Sequence, residues 1–403
     1  MTVHRGRWSL ADRVEGIMRE LPVDVPPGTA ELTVELQYAA GVGVLDLGCA
    51  GPGGFRGWSG GARRRFTISA DWATPGYLPG ELEPGRWHVL LRLHRIPPDG
   101  LDYEVTATVA DRAPSRPDPP VAPPVPPRPP RRAIPDVDGR RWLAGDLHSH
   151  TLHSDGVSTV AELAALGAGR GLDFLAVTDH NTISHHAELS SAGAAYAIAL
   201  LPGQEVTTDR GHANALGSIS WVDFREPAAE WVRAVERDGG LLSINHPLGG
   251  DCAWRQPLPV RPRLAEVWHS GWFDRTWGAP MAWAQAWRPD TVPVGGSDYH
   301  RPGHDGLPGS PTTWVLTDPA AEPERGLLDG LRSGQVAVSA GPGEPVLLRI
   351  GDELLALDAD GTLLTAPDGS QRVVRGDRVR LPASQSGLHL LETYRMEVVA
   401  LCL

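Results

Sequence analysis

The residues of this chain best suited to chemistry are its histidines, and they are unevenly spread. Eleven of the 15 lie between His148 and His304. His148 and His150 stand two apart in HSHTLHSDG, which also holds Asp155. His180 follows in TDHN. Glu205 ends LPGQEV, and His212 comes next in GHANALG. His246 sits in INHP, and Asp298 and His300 are again two apart in GGSDYH. Imidazole and carboxylate are the ligands that Zn, Mn and Fe take. One isolated His-x-His is weak evidence. Five such groups at successive strand ends are strong evidence for a metal centre.

The elements that must position these groups are legible from Arg141 onward. Strands are predicted over WLAGDLHSH, DFLAVTDHN, IALLPGQEV, LLSINHP, LAEVWHS and TVPVGGSDYH. On the first of them His148 and His150 would point to one face. Helices are predicted over TVAELAALGAGRGL, with Ser158 or Thr159 near the N-cap, and over PAAEWVRAVERDGG. Strands alternating with helices imply βαβ units and a parallel sheet. Polar, ligand-type residues at the strand ends are where a (β/α) barrel carries its active site.

Residues 1–111 read differently. ELTVELQY, RRFTISADW, WHVLLRLHRI and DYEVTATV alternate apolar and polar side chains, with GPGGFRGWSGG and PPDG as separators. A small β-sandwich is expected there. Residues 112–140 form a proline-rich linker, read as a semi-rigid polyproline spacer in preference to a docking segment for an SH3-like partner. A hydrolase-type domain is expected over 141–345 and a β-rich segment over 346–403.

Composition narrows the function. The chain has 403 residues, 41% of them hydrophobic, so a sizeable core can form. The net charge is −12, and all 37 basic residues are Arg, a bias that suggests a GC-rich genome. An acidic balance argues against a nucleic-acid polymer as partner. Individual Arg side chains can still bind a small phosphate. The three cysteines show no disulfide or zinc-finger spacing. No signal-like or membrane-spanning apolar run is seen, so a cytoplasmic enzyme with no membrane partner is expected.

HSHTLHSDG, TDHN, the Glu before GHANALG, NHP and GSDYH together resemble the successive motifs of the PHP (polymerase and histidinol phosphatase) superfamily of metal-dependent hydrolases, over about residues 141–345. The added β region and the NALG, EVW and SAGPGEP segments are most similar to the CehA/McbA branch. The resemblance implies an α/β fold, a PHP-type distorted (β/α)7 barrel, and three divalent ions (Zn, Mn or Fe). It places His148, His150 and Asp298 on the first ion, with Glu205 bridging to the second. His212 and His246 complete the second, and Asp155, His180 and His300 hold the third. Catalytic roles then fall to Glu205, Asp298 and His300. The one departure is His269 in EVWHSGW, where relatives often carry Asn-Gly.

Metals roughly 3.5–4 Å apart can share a hydroxide, which lowers the pKa of water from 15.7 toward about 7. The same site can attack carbon or phosphorus, and the resemblance implies a phosphoesterase acting on a small phosphate ester or nucleotide. The alternatives are a carboxyl-ester or carbamate hydrolase, and a non-catalytic ligand-binding protein. Arg210, Arg255, Arg301 and His269 are candidate substrate contacts. Asp179 and Asn181 are candidates for orienting the ligands. His153, His185 and His186 are read as surface or supporting residues, and His304 as a loop residue. Most tryptophans are read as core, those between 268 and 287 as a candidate pocket wall. Cys252 is read as a small buried residue, not a nucleophile.

Overall fold

The computed structural model describes residues 1–112, 118, 120–271, 278–303, 306–383 and 385–403. Part of the proline-rich linker, Trp272, Trp277 and His304 lie outside the described residues. The chain divides into two compact units. One comprises Met1–Val121, Leu152–Asp155 and His180–His185; the other holds the remainder.

The first unit contains β1 (Thr2–Trp8), α1 (Leu10–Glu15), β2 (Met18–Val25), β3 (Glu31–Tyr38), β4 (Val44–Gly51), β5 (Gly54–Gly60), β6 (Arg65–Ser69), β7 (Gly85–Arg95) and β8 (Leu101–Ala110). They form two four-stranded antiparallel sheets, β1-β8-β3-β6 and β2-β7-β4-β5. Period-two alternation explains the packing. Leu32, Val34 and Leu36 of β3 share one apolar core with Trp87, Val89 and Leu91 of β7. GPGGFRGWSGG, expected only as a separator, contains β5. Its glycines permit a bulged strand close to another chain segment. Gly57 has φ +147°, and a Cβ there would lie 2.4 Å from the Tyr77 ring.

The second unit begins with β9 (Arg141–Asp146), α2 (Val160–Gly169), β10 (Phe174–Val177), α3 (His186–Tyr196), β11 (Ala199–Thr208), β12 (Gly211–Leu216) and α4 (Ala228–Arg237). It continues with β13 (Leu241–Ile244), β14 (Leu264–His269), α5 (Gly278–Trp287), β15 (Val292–Gly296), β16 (Thr312–Thr317), α6 (Pro323–Ser333) and β17 (Val336–Ser339). The C-terminal strands are β18 (Val346–Ile350), β19 (Glu353–Leu357), β20 (Leu363–Thr365), β21 (Gln371–Val373), β22 (Arg378–Pro382), β23 (His389–Glu392) and β24 (Val398–Cys402). The fold is mixed α/β and rich in sheet.

The main sheet runs β15-β14-β13-β12-β11-β10-β9-β16-β17-β24-β23-β20-β21. A parallel sheet was expected, but this one is mixed. β9, β10 and β11 are parallel, as are β13, β14 and β15. β12 pairs antiparallel with both β11 and β13. The reason is the short Asp209–Arg210 turn after β11, which returns the chain as a hairpin with no crossover helix. The edge strand β15 comes back against β16. The Thr313 hydroxyl of β16 donates to Gly295 O of β15 at 2.9 Å and accepts from Gly295 N at 2.8 Å.

α2 starts at Thr159, whose side chain caps Glu162 N while Glu162 returns the bond. Linker residues beyond Val121 pack on this unit. Tyr196 donates to Pro123 O at 2.7 Å, and Arg128 and Arg131 both reach Asp173. No helix among the described residues is long and apolar enough to cross a membrane.

Candidate metal centre

The site is built at the ends of β9, β13, β14 and β15 and on the β11–β12 hairpin. His148 and His150 were expected on a strand, but β9 stops at Asp146. They lie in the irregular segment beyond it, anchored by an isolated bridge between Ser149 and Tyr299. Both rings still reach one carboxylate. His148 Nε2 is 3.1 Å and His150 Nε2 2.9 Å from Asp298 Oδ1. Similarly, His180 lies beyond the end of β10, and Glu205 sits inside β11 instead of at its end.

Glu205 is the centre of the arrangement. Its carboxylate is fully buried. Oε1 lies 3.1 Å from His212 Nδ1, and 3.3 Å from both His246 Nε2 and His148 Nε2. Oε2 lies 3.6 Å from His150 Nε2. Asn245 Nδ2 donates to Oε1 at 2.8 Å. A buried carboxylate costs several kcal/mol unless cations compensate it, roughly as any ion does on leaving water. Four imidazoles turned toward it supply that compensation, either as imidazolium or through shared metal.

The backbone is bent to serve these groups. Asp298 has φ +52° and His246 φ +23°, conformations that L residues rarely adopt. Such strain persists only where surrounding structure holds it, and it clusters at functional sites. Asp298 N donates to His148 O at 3.0 Å. His300 is fixed by its Nδ1 on Asp298 O at 2.7 Å, and its ring stacks on His150 with centroids 4.1 Å apart.

Two groups of ligand atoms in this unit are compact enough for one ion each. They are His148, His150, Glu205 and Asp298, and His148, His246, Glu266 and His269. The first matches the ligands the sequence assigns to the first ion together with its bridge. An orphaned atom supports the fit. His148 Nε2 is buried without a hydrogen-bond partner among the described residues, although Asp298 Oδ1 is 3.1 Å away. That geometry suits a shared cation better than a hydrogen bond. Asp155 and His180, expected on the third ion, belong to the first unit, where His180 Nε2 is 3.5 Å from Asp155 Oδ1.

Electrostatics follow from these distances. Burial opposes charge on His148, but Asp298, Glu205 and Glu266 outweigh it and hold the ring well above its usual range. Burial would raise Asp298, yet His148 and the bonds from His150 and His269 hold it well below the usual carboxylate range.

Two supporting carboxylates escaped the sequence reading. Glu266 Oε1 is 3.1 Å from His148 Nδ1, and Oε2 accepts from His246 N at 2.7 Å. Its signal was a lone acidic residue in the otherwise apolar LAEVW, which must be paired if buried. Asp146, also buried, accepts from His148 N and Ser297 N at 3.0 Å each and from Gly309 N at 2.7 Å. Burial pushes its pKa up, against those bonds. Asp179, a candidate for orienting the ligands, accepts from the N and Oγ1 of Thr151, next to His150 in the chain, at 2.8 and 2.6 Å.

The candidate substrate contacts divide. His269 joins the ligand cluster, with Nε2 3.2 Å from Asp298 Oδ2. Arg210 and Arg255 tie their own loops together. Arg210 Nη2 donates to Arg255 O at 3.2 Å, and Arg255 Nη2 to Asp209 O at 2.8 Å. Arg301 is exposed after His300. His153, expected at the surface or in support, bonds Ser184 Oγ at 2.7 Å; His185 is fully buried. His186 bonds Gly203 O at 3.0 Å. Trp231, Trp254, Trp287 and Trp283 form a continuous aromatic ladder.

No family model matches the chain. It is 38% identical over 101 residues to the 3',5'-nucleoside bisphosphate phosphatase of Chromobacterium violaceum, covering 24% of this chain and 34% of that protein. The match thus spans about a third of the relative's length. An uncharacterised protein of Methanocaldococcus jannaschii is 24% identical over 121 residues, 27% of this chain and 71% of that protein. Among solved structures, a two-domain Bacteroides vulgatus protein containing a predicted PHP-like metal-dependent phosphoesterase has TM-score 0.45 and 16% identity, covering 68% of this chain and 98% of that one. An amidohydrolase from Chromobacterium violaceum with bound sulfate and no metal has TM-score 0.33 and 19% identity, covering 40% of this chain and 89% of that one.

Proposed function

We propose that the protein is a metal-dependent phosphoesterase acting on a small phosphate ester or nucleotide. The observation that carries this reading is the convergence of His148, His150, His212 and His246 within 3.1–3.6 Å of the buried Glu205 carboxylate. The bisphosphate phosphatase relative supports a phosphate ester as substrate. The second unit is read as a distorted (β/α)7 barrel, and the motifs are read as resembling the CehA/McbA branch.

We assign His148, His150, Asp298 and Glu205 to a first ion and Glu205, His212 and His246 to a second. The third set, Asp155, His180 and His300, stays as the sequence pattern assigns it. Divalent ions bound there would polarise the ester under attack and make water acidic enough to act as nucleophile at neutral pH.

The chain's own groups do the rest. Glu205 holds negative charge between the two ligand sets. Glu266 fixes the His148 ring through Nδ1, so that Nε2 faces Asp298 and Glu205. His300 is held at Nδ1 by Asp298 O. Arg210, Arg255 and Arg301 are assigned the substrate anion, where guanidinium can pair with phosphate oxygens.

Parallel assays of p-nitrophenyl phosphate, a bis-phosphate diester and a naphthyl carbamate, with Mn or Zn supplied, test the reading. Metal-dependent release from a phosphate ester is expected. Turnover of the carbamate alone would shift the assignment to carbon esters. No turnover of any, with metal bound, would favour a binding protein.

A further inference from the structure

The segments Leu152–Asp155 and His180–His185 belong to the same compact unit as the N-terminal sheets, although the strands before them belong to the other unit. These are the segments that carry Asp155 and His180. Their attachment is specific. Arg63, in the turn between β5 and β6, donates from Nη1 to Ser154 O at 2.8 Å and from Nη2 to Leu152 O. The two carbonyls flank His153, and that of Ser154 immediately precedes Asp155. Gly76 N donates to Ser184 Oγ at 3.0 Å, and Thr182 Oγ1 donates to Gly76 O at 3.0 Å. His153 Nδ1 meets the same Ser184 Oγ at 2.7 Å and links the two segments.

The approach at Gly76 leaves no room for a side chain. A Cβ there would lie 2.8 Å from both His153 O and Trp58 O, and φ is +98°. Thr182 is fully buried, and Ser154 and His153 are nearly so. Irregular loops hold ligands well only when supporting bonds fix them, and such bonds typically account for about 10–100-fold in metal affinity.

We propose that the N-terminal sheets are a positioning element for Asp155 and His180 as metal ligands. Arg63 and Gly76 hold the segments bearing these two side chains, and Arg63 is a positioning residue for an ion bound by them. The inference rests on the reading of Asp155 and His180 as ligands. It gives the β region a role in holding these two segments of its own unit rather than as a separate binding module.

The test is Mn²⁺ binding to the full chain, followed by the paramagnetic signal of free Mn²⁺, for wild type, Arg63→Met, Arg63→Lys, Asp155→Asn and the Arg63→Met/Asp155→Asn double variant. Arg63→Met should weaken one class of site about tenfold or more and leave the others unchanged. Arg63→Lys, which keeps a cation able to reach one carbonyl, should fall between. In the Asp155→Asn background Arg63→Met should add nothing. Backbone hydrogen exchange of the metal-free chain should be faster at 152–155 in Arg63→Met. If Arg63→Met does not fold, the Lys variant supplies the same comparison.

An unchanged isotherm for Arg63→Met beside an altered one for Asp155→Asn would overturn the inference and leave the phosphoesterase reading standing. An equal loss from Arg63→Met in both backgrounds would overturn it too. An unaltered isotherm for Asp155→Asn would remove Asp155 as a ligand, and the inference with it.

Discussion

Glu266 Oε1 lies 3.1 Å from His148 Nδ1, and this contact leaves Nε2 as the nitrogen that His148 turns toward Asp298 and Glu205. Glu266 Oε2 simultaneously accepts from His246 N at 2.7 Å, so one buried carboxylate fixes two ligand segments. Gly296 leaves space for it, since a Cβ there would lie 2.2 Å from Glu266 Oε1 and 2.5 Å from His148 Cβ.

Glu266→Gln should therefore weaken metal affinity by about 10–100-fold while retaining the fold, the usual effect of removing a group that orients a ligand. Metal titration with circular dichroism checks this. Unchanged affinity would mean that His148 is oriented by other contacts.

Metal binding should release protons. In the metal-free protein His148 is held well above its usual range, burial being outweighed by Asp298, Glu205 and Glu266. His246 is raised as well, burial being outweighed by its bonds to Cys252 and Glu205. A raised histidine contributes stability that is complete below its unfolded pKa and lost as pH rises through its folded one. The depressed Asp298 contributes stability present above its unfolded pKa and lost as pH falls through its folded one. A metal displaces the histidine protons, so affinity should tighten as pH rises toward the alkaline side. Calorimetry in two buffers of different ionisation enthalpy should record proton uptake by the buffer. Identical heats in both would contradict the pairing.

Asp146 offers a stability test away from the ligands' own side chains. It accepts three backbone N–H bonds while fully buried. Asp146→Asn would turn an amide N–H toward one of those donors, and should destabilise by about 2–4 kcal/mol, since it leaves a buried donor unsatisfied. Urea unfolding of the metal-free chain reads this directly. A shift below about 0.5 kcal/mol, the range of an ordinary surface change, would mean that the segment rearranges at no cost.

Thiol reactivity tests the core packing. Burial pushes Cys49 and Cys402 up to about 12, so both stay protonated and shielded at pH 8. Cys252 is partly exposed, with Sγ donating to Gly249 O at 2.8 Å. Ellman's reagent should label Cys252 first in the native chain and reach the other two only on unfolding. Rapid native labelling of a Cys252→Ser variant would show that one of the two apolar cores is open.

The candidate site is legible as a pattern because ligand chemistry demands particular residue types. The nine expected ligands were assigned from HSHTLHSDG, TDHN, the Glu205 and His212 pair, NHP and GSDYH. Periodicity also placed β3, β7, β8, β11, β14, α2 and α4. It failed where glycine served packing instead of turning, as at Gly57 in β5. It failed again where β12 returned as a hairpin, because the alternation in HANA has only alanine on its apolar side and the expectation of a crossover took precedence. Supporting carboxylates such as Glu266 and Asp146 carry no motif. They become visible only when tertiary structure shows which imidazole or N–H they face.

The central claim is that Glu205 joins two metal ions, and replacing it tests that claim most directly. Glu205→Gln keeps the size but removes the charge between two cations, so their repulsion is poorly screened. The measurement is metal-dependent turnover of p-nitrophenyl phosphate together with bound metal per chain, with Glu188→Gln on the exposed face of α3 as control. Wild type and Glu188→Gln should carry about three ions and turn over, as nine ligands of this type imply. Glu205→Gln should hold less metal and lose turnover while keeping its circular dichroism spectrum. Near-normal turnover in Glu205→Gln, or a saturated wild-type content of one ion or none, would contradict the account.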